Sequence, residues 1–167
     1  MSIIINNTIY NYLNVPEDDT KTHQVAFSYA IETTTPNNPI TQLIAYVDNY
    51  SPTGTDMVIG FRLIYDNGAK SPLFGSDRTS YPEQTVDCRG GFASVDVRSA
   101  DRVDSIAVVA KNGVRSVVGD QIGQGNLHAQ GVGSGVLVGV HGTWTTIYPN
   151  GAGSRPELVS LAWVFRV

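Results

Sequence analysis

Residues 58–71 of the chain read Val-Ile-Gly-Phe-Arg-Leu-Ile-Tyr-Asp-Asn-Gly-Ala-Lys-Ser, and residues 103–116 read Val-Asp-Ser-Ile-Ala-Val-Val-Ala-Lys-Asn-Gly-Val-Arg-Ser. The two stretches align without a gap and share their first valine, an Asn-Gly pair and their last serine. Residues 158–165 (Leu-Val-Ser-Leu-Ala-Trp-Val-Phe) match the first part of both. A segment that recurs at this spacing indicates three copies of one structural unit.

Each complete copy has the pattern of a β-hairpin. Apolar side chains alternate along the strand, as in Phe61, Leu63 and Tyr65 of the first copy, which directs one face toward a core. Asn-Gly follows at residues 67–68 and again at 112–113, and this pair suits the two positive φ angles of a type I′ turn. The alternation and the Asn-Gly pair together predict a strand, a tight turn and a second strand.

Further extended stretches complete the predicted sheets. One precedes each copy, at residues 40–47, 92–97 and 136–141. Since the third copy stops at the end of the sequence, we expect strands from residues 1–35 to complete its sheet. No segment has the 3.6-residue apolar repeat of a helix. The sequence therefore predicts one all-β domain over residues 1–167, with three small sheets around a common axis.

The composition excludes several classes of partner and compartment. Acidic residues outnumber basic ones, 15 to 11, so the chain has no basic field for phosphates and we expect no nucleic acid partner. Cys88 is the only cysteine, which excludes an intramolecular disulfide and a cysteine-based zinc cage. The apolar run at residues 3–5 is too short for a signal peptide. We expect a protein that is cytoplasmic or released without a classical signal.

The sequence carries no catalytic or metal-binding motif. The three histidines, His23, His128 and His141, are far apart and none has the spacing of a paired metal site. There is no Gly-x-Ser-x-Gly nucleophile elbow. Cys88 precedes Arg89, but no histidine is next to it, so we expect a buried small apolar residue rather than an activated thiolate. We expect a protein that is not an enzyme and that needs no cofactor.

Five segments, taken in order, resemble the jacalin-related lectins. They are residues 40–43 (Ile-Thr-Gln-Leu), 65–68 (Tyr-Asp-Asn-Gly), 71–75 (Ser-Pro-Leu-Phe-Gly), 102–106 (Arg-Val-Asp-Ser-Ile) and 135–142 (Gly-Val-Leu-Val-Gly-Val-His-Gly). The resemblance implies the β-prism I fold, which has three Greek-key four-stranded sheets with pseudo-threefold symmetry. It also implies metal-independent binding of a mono- or oligosaccharide. Because a single shallow sugar site binds weakly, we expect a homo-oligomer.

In that family an aspartate at the end of a Gly-x-x-x-Asp loop accepts charge-assisted hydrogen bonds from sugar hydroxyls. The repeat alignment places Ile59, Asp104 and Val159 at the corresponding position, so only the second unit retains the carboxylate. The resemblance therefore implies a ligand site in that unit, with the carboxylate facing solvent, although Ala100 replaces the glycine. The expected ligand-binding residues are Asp101, Arg102, Val103 and Asp104, with Gly123, Gly125 and Asn126 of the following glycine-rich loop as the second wall.

Two alternatives to this site stay open. In the first, Asp104 only ends a loop and caps nearby backbone N–H groups. In the second, a frame shifted by two residues over 153–157 brings Glu157 of the third unit to the binding position, although Pro156 removes a backbone donor there.

Residues 143–157 form an insertion where the family has a short loop. We expect Trp144 and Tyr148 of this insertion to contact ligand, either by stacking on a sugar ring or by lying in a lipid interface. The alternative is that both rings pack the loop onto the sheet. The rival function uses the same loop: a jacalin-like, toxin-associated module that does not bind sugar and instead binds a membrane or a protein, or serves as an assembly unit.

Overall fold

The computed structural model describes residues 2–5, 8–14, 25–30, 39–50, 54–100, 102–120, 125–147 and 155–166. Over these residues the chain forms thirteen β-strands. No helix within these ranges is long and apolar enough to cross a membrane. The strands are β1 (Ser2–Ile5), β2 (Thr8–Asn14), β3 (Val25–Ala30), β4 (Ile40–Tyr50), β5 (Thr55–Tyr65), β6 (Phe74–Gly75), β7 (Gln84–Asp87), β8 (Phe92–Ser99), β9 (Val103–Ala110), β10 (Arg115–Gly119), β11 (Asn126–Gln130), β12 (Leu137–Ile147) and β13 (Arg155–Arg166).

The strands form three antiparallel sheets. The first sheet has the order β6-β5-β4-β7, the second β10-β9-β8-β11, and the third β1-β2-β13-β12-β3. The repeated stretches of sequence occupy β5, β9 and β13, and each of these pairs with the strand before it in the chain. The predicted all-β fold and its β-prism I arrangement of three equivalent sheets are therefore confirmed.

The third sheet draws its outer strands from the N-terminal part of the chain. β2 pairs with β13, and β3 pairs with β12. These are the outer places that β6 and β7 take in the first sheet and β10 and β11 in the second. β1 pairs with β2 as a hairpin, so the third sheet has five strands where the resemblance implied four.

Tight turns follow the first two repeated strands at the predicted places, but the predicted type I′ turn is wrong, because each glycine is the last residue of its turn and not a central one. Gly68 and Gly113 adopt φ angles of 80° and 86°, which an L residue with a side chain rarely adopts. The Gly68 N–H donates to the Tyr65 carbonyl at 2.9 Å, and the Gly113 N–H donates to the Ala110 carbonyl at 2.9 Å. The same local chemistry therefore closes both hairpins.

Apolar side chains from all three sheets meet in a shared core. Phe61 of β5, Ile106 of β9 and Leu161 of β13 occupy corresponding positions and are fully buried in it. The ring centroid of Phe61 lies 5.4 Å from that of Trp163 in the third sheet and 5.0 Å from that of Phe74 in β6. Aromatic contacts thus join the first sheet to the third in the middle of the molecule.

Cys88 belongs to the same core. Burial raises the pKa of its thiol to about 12, and the nearby Asp87 carboxylate acts in the same direction. The thiol therefore stays protonated at neutral pH, and Cys88 packs as a small apolar side chain.

The edges of the first and second sheets are bound to each other. The Gly119 N–H at the end of β10 donates to Oε1 of Gln84 in β7 at 3.1 Å. The Asp87 N–H of β7 donates to the Ser116 hydroxyl of β10 at 3.4 Å. Side chains thus bridge the two edge strands at this corner of the prism.

A β-bulge recurs at the same place in every sheet. In the pairs β4–β5, β8–β9 and β12–β13, a register shift leaves one residue of the later strand without a partner directly opposite. These residues are Ile59, Asp104 and Val159. They are the positions that the repeat alignment made equivalent, so the bulge belongs to the repeated framework. The three sheets therefore hold three different residues at one structural position.

His141 is a pH-sensitive position in the third sheet. It lies on β12 opposite Ser28 of β3, with 2.8 Å between the Ser28 hydroxyl oxygen and Nδ1 of the ring. Partial burial lowers its pKa below the ordinary value of 6.5, because the charged ring loses hydration. Between these two pKa values the unfolded chain binds more protons than the folded one.

We therefore expect the free energy of unfolding to fall as the pH drops through about 6.5 and to stop falling, for this group, below the folded pKa. Urea denaturation of the wild type and of His141→Gln on both sides of this range measures the effect. The variant should lack this part of the pH dependence. Equal pH dependence in the two proteins would contradict the assignment.

Candidate ligand-binding site

Asp104 lies at the beginning of β9 on its bulge. Its backbone carbonyl accepts the Asp120 N–H at 3.0 Å, which ties the bulge to the end of β10. Its carboxylate oxygen Oδ1 lies 3.2 Å from Nε of Arg102. The Asp104 side chain is only 5% exposed and the Arg102 side chain 13%. The prediction that the carboxylate faces solvent is therefore wrong, because it turns into a buried ion pair with Arg102.

Gly125 forms a wall against this ion pair. A Cβ atom at Gly125 would lie 2.8 Å from Oδ2 of Asp104 and 2.5 Å from the Ser99 carbonyl carbon, so a side chain has no room there. The Gly125 carbonyl accepts a hydrogen bond of 3.0 Å from Nη1 of Arg98 on β8. The glycine thus lets its backbone approach the carboxylate closely, which is the contact that the glycine-rich sequence predicted.

The other residues of the expected site divide into three groups. The Asn126 side chain is exposed beside the site at the beginning of β11. The Val103 side chain is fully buried in the shared core, so any contact of this residue with a ligand is through its backbone. Asp101, Gly123 and Tyr148 lie outside the described residues.

Trp144 does not lie in a loop, and that prediction is wrong. It belongs to β12, opposite Leu158 on one side and Val25 on the other. Its ring is partly buried and packs against the shared core. The strand register gives Trp144 the same position as Val47 in the first sheet and Ser99 in the second. For Trp144 the structure agrees with the alternative prediction, in which its ring packs on the sheet.

Glu157 is the carboxylate of the shifted frame. It lies in β13, opposite Thr145 of β12, and is 1% exposed. In the third sheet the bulge itself holds Val159, which is fully buried and cannot accept a hydrogen bond. The shifted frame therefore leads to a buried side chain and not to a surface carboxylate.

Arg98 was not predicted from the sequence. It lies on β8 opposite Ser105 of β9 and Leu127 of β11. An arginine in an alternating strand usually indicates only a solvated face, so the local pattern gave no sign of its bond to Gly125. The repeat alignment does not reach Arg98, and only the strand register shows that it takes the place of the buried Tyr46 of the first sheet.

The three sheets fill the same positions around the bulge with different chemistry. The first sheet has a buried apolar cluster, the second has two arginines and an aspartate, and the third has threonine, glutamate and valine. In sheet order, these residues are Tyr46, Met57 and Ile59, then Arg98, Arg102 and Asp104, then Thr143, Glu157 and Val159.

An apolar cluster therefore fits this framework, and the fold does not require charges there. A buried ion pair seldom stabilises a protein more than apolar side chains of similar volume do. Charges that a framework does not need for folding are instead candidates for a functional role. The cluster of Arg98, Arg102 and Asp104 thus distinguishes the second sheet as the candidate site.

No known protein family and no curated protein matches this sequence. Solved structures do match its fold. A lamprey immune protein matches 98% of this chain and 45% of its own, with a TM-score of 0.65 and 14% identity. The prostate-specific WGA16 glycoprotein lectin matches 86% of this chain and 89% of its own, with a TM-score of 0.57 and 16% identity.

A third match is PirB, which covers 76% of this chain with a TM-score of 0.53 and 15% identity. This chain spans 28% of the length of PirB and 45% of the lamprey protein, but most of the lectin. Identities this low show a common fold alone. The β-prism thus occurs both as nearly a whole lectin and as a part of longer chains.

Proposed function

We propose that this chain is a lectin of the jacalin-related type, which binds a mono- or oligosaccharide without a metal ion and without catalysis. The observation that carries the proposal is the charged cluster of Arg98, Arg102 and Asp104 on a bulge that is apolar in the first sheet. The likeness in fold to a lectin of nearly the same extent supports it.

The chemistry of the cluster suits a sugar diol. A carboxylate accepts hydrogen bonds from hydroxyl groups, while guanidinium groups and the exposed Asn126 amide donate to hydroxyl oxygens. The ion pair holds the Arg102 and Asp104 groups in a fixed orientation, which lowers the entropy that binding costs. Because Asp104 is only 5% exposed, at most one edge of its carboxylate meets the ligand.

Affinity at such a shallow site is low. Each hydrogen bond contributes a net value of about 0.5–1.5 kcal/mol after exchange with water, which leads to about millimolar binding of one sugar. Several copies acting together raise the apparent affinity. We therefore propose that the protein works as a homo-oligomer.

The test is glycan-array binding by the wild type and by the double variant Arg102→Met, Asp104→Ile. This variant carries the apolar pair that the first sheet holds at Met57 and Ile59, so it removes the charges without leaving one of them buried alone. We expect the double variant to lose at least about tenfold in affinity.

Asp77→Asn is the matched control. The Asp77 side chain is 49% exposed between β6 and β7, and its Oδ2 lies 3.9 Å from Nη2 of Arg62, so this variant removes a carboxylate beside an arginine at another place. This variant should bind like the wild type. Equal binding by the double variant and the wild type would place the sugar site elsewhere, and an array without any bound glycan would overturn the proposal.

A second candidate function keeps the fold and changes the partner. The β-prism is 28% of PirB, so the same fold also serves inside longer proteins. In this candidate the chain binds a membrane or a protein, although residues 143–147 and 155–157 of the predicted binding loop belong to β12 and β13. Sedimentation with vesicles of neutral and anionic phospholipids, in the absence of any glycan, separates it from the lectin proposal.

A further inference from the structure

Arg98 connects the second sheet to the wall of the candidate site. Its Nη1 donates to the Gly125 carbonyl at 3.0 Å, and Gly125 is the last residue before β11. Arg98 therefore binds the residue that comes just before β11 to the second sheet. A hydrogen bond from a charged donor is about twice as strong as one between neutral groups.

The position of Gly125 matters because its backbone lies against the Asp104 carboxylate. The Gly125 backbone lies so close to the carboxylate that a Cβ atom on Gly125 would be 2.8 Å from Oδ2 of Asp104. A shift of Gly125 by about 1 Å would therefore open or close the access to Asp104, and misplacements of that size matter in binding sites.

At the position of Arg98, the other two sheets hold no charged donor. Tyr46 takes the place of Arg98 in the first sheet and packs in the apolar cluster there. Thr143 takes it in the third sheet, and its hydroxyl lies 2.8 Å from that of Ser160 within the same strand pair. The arginine and the Asp104 carboxylate thus occur together in the second sheet alone among the described residues.

We infer that Arg98 is a positioning residue of the ligand site, which fixes Gly125 and with it the wall beside Asp104. This inference rests on the proposed sugar-binding function. It assigns to Arg98 a role that acts through Gly125, and it does not require contact between Arg98 and the sugar.

The experiment compares Arg98→Met with Arg98→Lys, which keeps the charge and a donor. Hydrogen exchange of the Gly125 and Asn126 amides is measured without ligand, and glycan affinity is measured on the same samples. In Arg98→Met, we expect exchange at these amides to rise about tenfold and affinity to fall about tenfold, while Arg98→Lys recovers part of both.

Arg62→Met is the matched control. Arg62 of β5 donates from Nη1 to the Ser71 carbonyl at 3.3 Å, so it makes the same kind of bond in the first sheet. This control should leave the exchange of Gly125 and the affinity unchanged. It also reports how much of any effect comes from removing an arginine from a sheet face.

Unchanged exchange at Gly125 in Arg98→Met would overturn the inference. Faster exchange with unchanged affinity would overturn the positioning role, because the wall would then not govern binding. If the wild type binds no glycan, the proposed function is wrong, whereas faster exchange in Arg98→Met would still support the hold of Arg98 on Gly125. The two failures are therefore distinguishable.

Discussion

Replacing Asp104 with alanine is expected to lower the free energy of unfolding by about 3–5 kcal/mol. The variant removes the carboxylate that lies 3.2 Å from Nε of Arg102, whose side chain is 13% exposed. A charge that stays buried after losing its counter-ion keeps its desolvation cost without the attraction that offset it. Urea denaturation, followed by tryptophan fluorescence, measures the change.

The double variant Arg102→Met, Asp104→Ile is the control for this prediction. Its two side chains copy Met57 and Ile59, which are both fully buried at the corresponding place of the first sheet. Removing both charges should recover most of the lost stability, because the guanidinium and the carboxylate are then removed together. A double variant as unstable as Asp104→Ala would mean that the second sheet needs the charges to fold.

Replacing Phe61 with alanine is expected to cost about 3–5 kcal/mol of unfolding free energy. Phe61 is fully buried and its ring contacts those of Phe74, Trp163 and Phe27, so truncation leaves a cavity between the first and third sheets. Neighbouring rings cannot collapse into such a cavity without disturbing their own contacts. Urea denaturation measures the loss, and near-ultraviolet circular dichroism reports the aromatic packing.

Phe61→Leu serves as the matched control. Leu161 occupies the corresponding position of the third sheet and is fully buried there, so leucine suits this framework. We expect this variant to lose less than about 2 kcal/mol. A loss below about 1 kcal/mol for Phe61→Ala would show that the three sheets do not depend on this contact.

Local sequence signals predicted most of the framework. Alternating apolar residues and the Asn-Gly pairs are short-range features, and they located β5, β9 and both turns. The repeat alignment also made Ile59, Asp104 and Val159 equivalent, and the recurring bulge has these residues at its centre.

The burial of Asp104 could not be predicted in the same way. Arg102 comes just before β9 and Asp104 lies on its bulge, but the Asp104 carboxylate is also covered by Gly125, which belongs to a later part of the chain. Burial depends on that long-range contact. The sequence near Asp104 therefore predicted the carboxylate but neither its burial nor its ion pair with Arg102.

Trp144 was likewise predicted to be exposed, and it packs against the core. Threonines around it suggested a polar loop, yet Thr143 and Thr145 are buried residues of β12. Thr143 satisfies its hydroxyl group with that of Ser160 across the strand pair. Polar residues that pair inside a sheet look like loop residues in a sequence, since their partners are not local.

The bridged corner between β7 and β10 limits how this protein can aggregate or assemble. Exposed strand edges are templates on which other chains add strands. Here the N–H groups of Gly119 and Asp87 are already occupied, by the Gln84 amide oxygen and the Ser116 hydroxyl. A neighbouring molecule would have to break these bonds before it could extend either sheet at this corner. Strand addition by another chain is therefore expected at other sheet edges rather than at this corner.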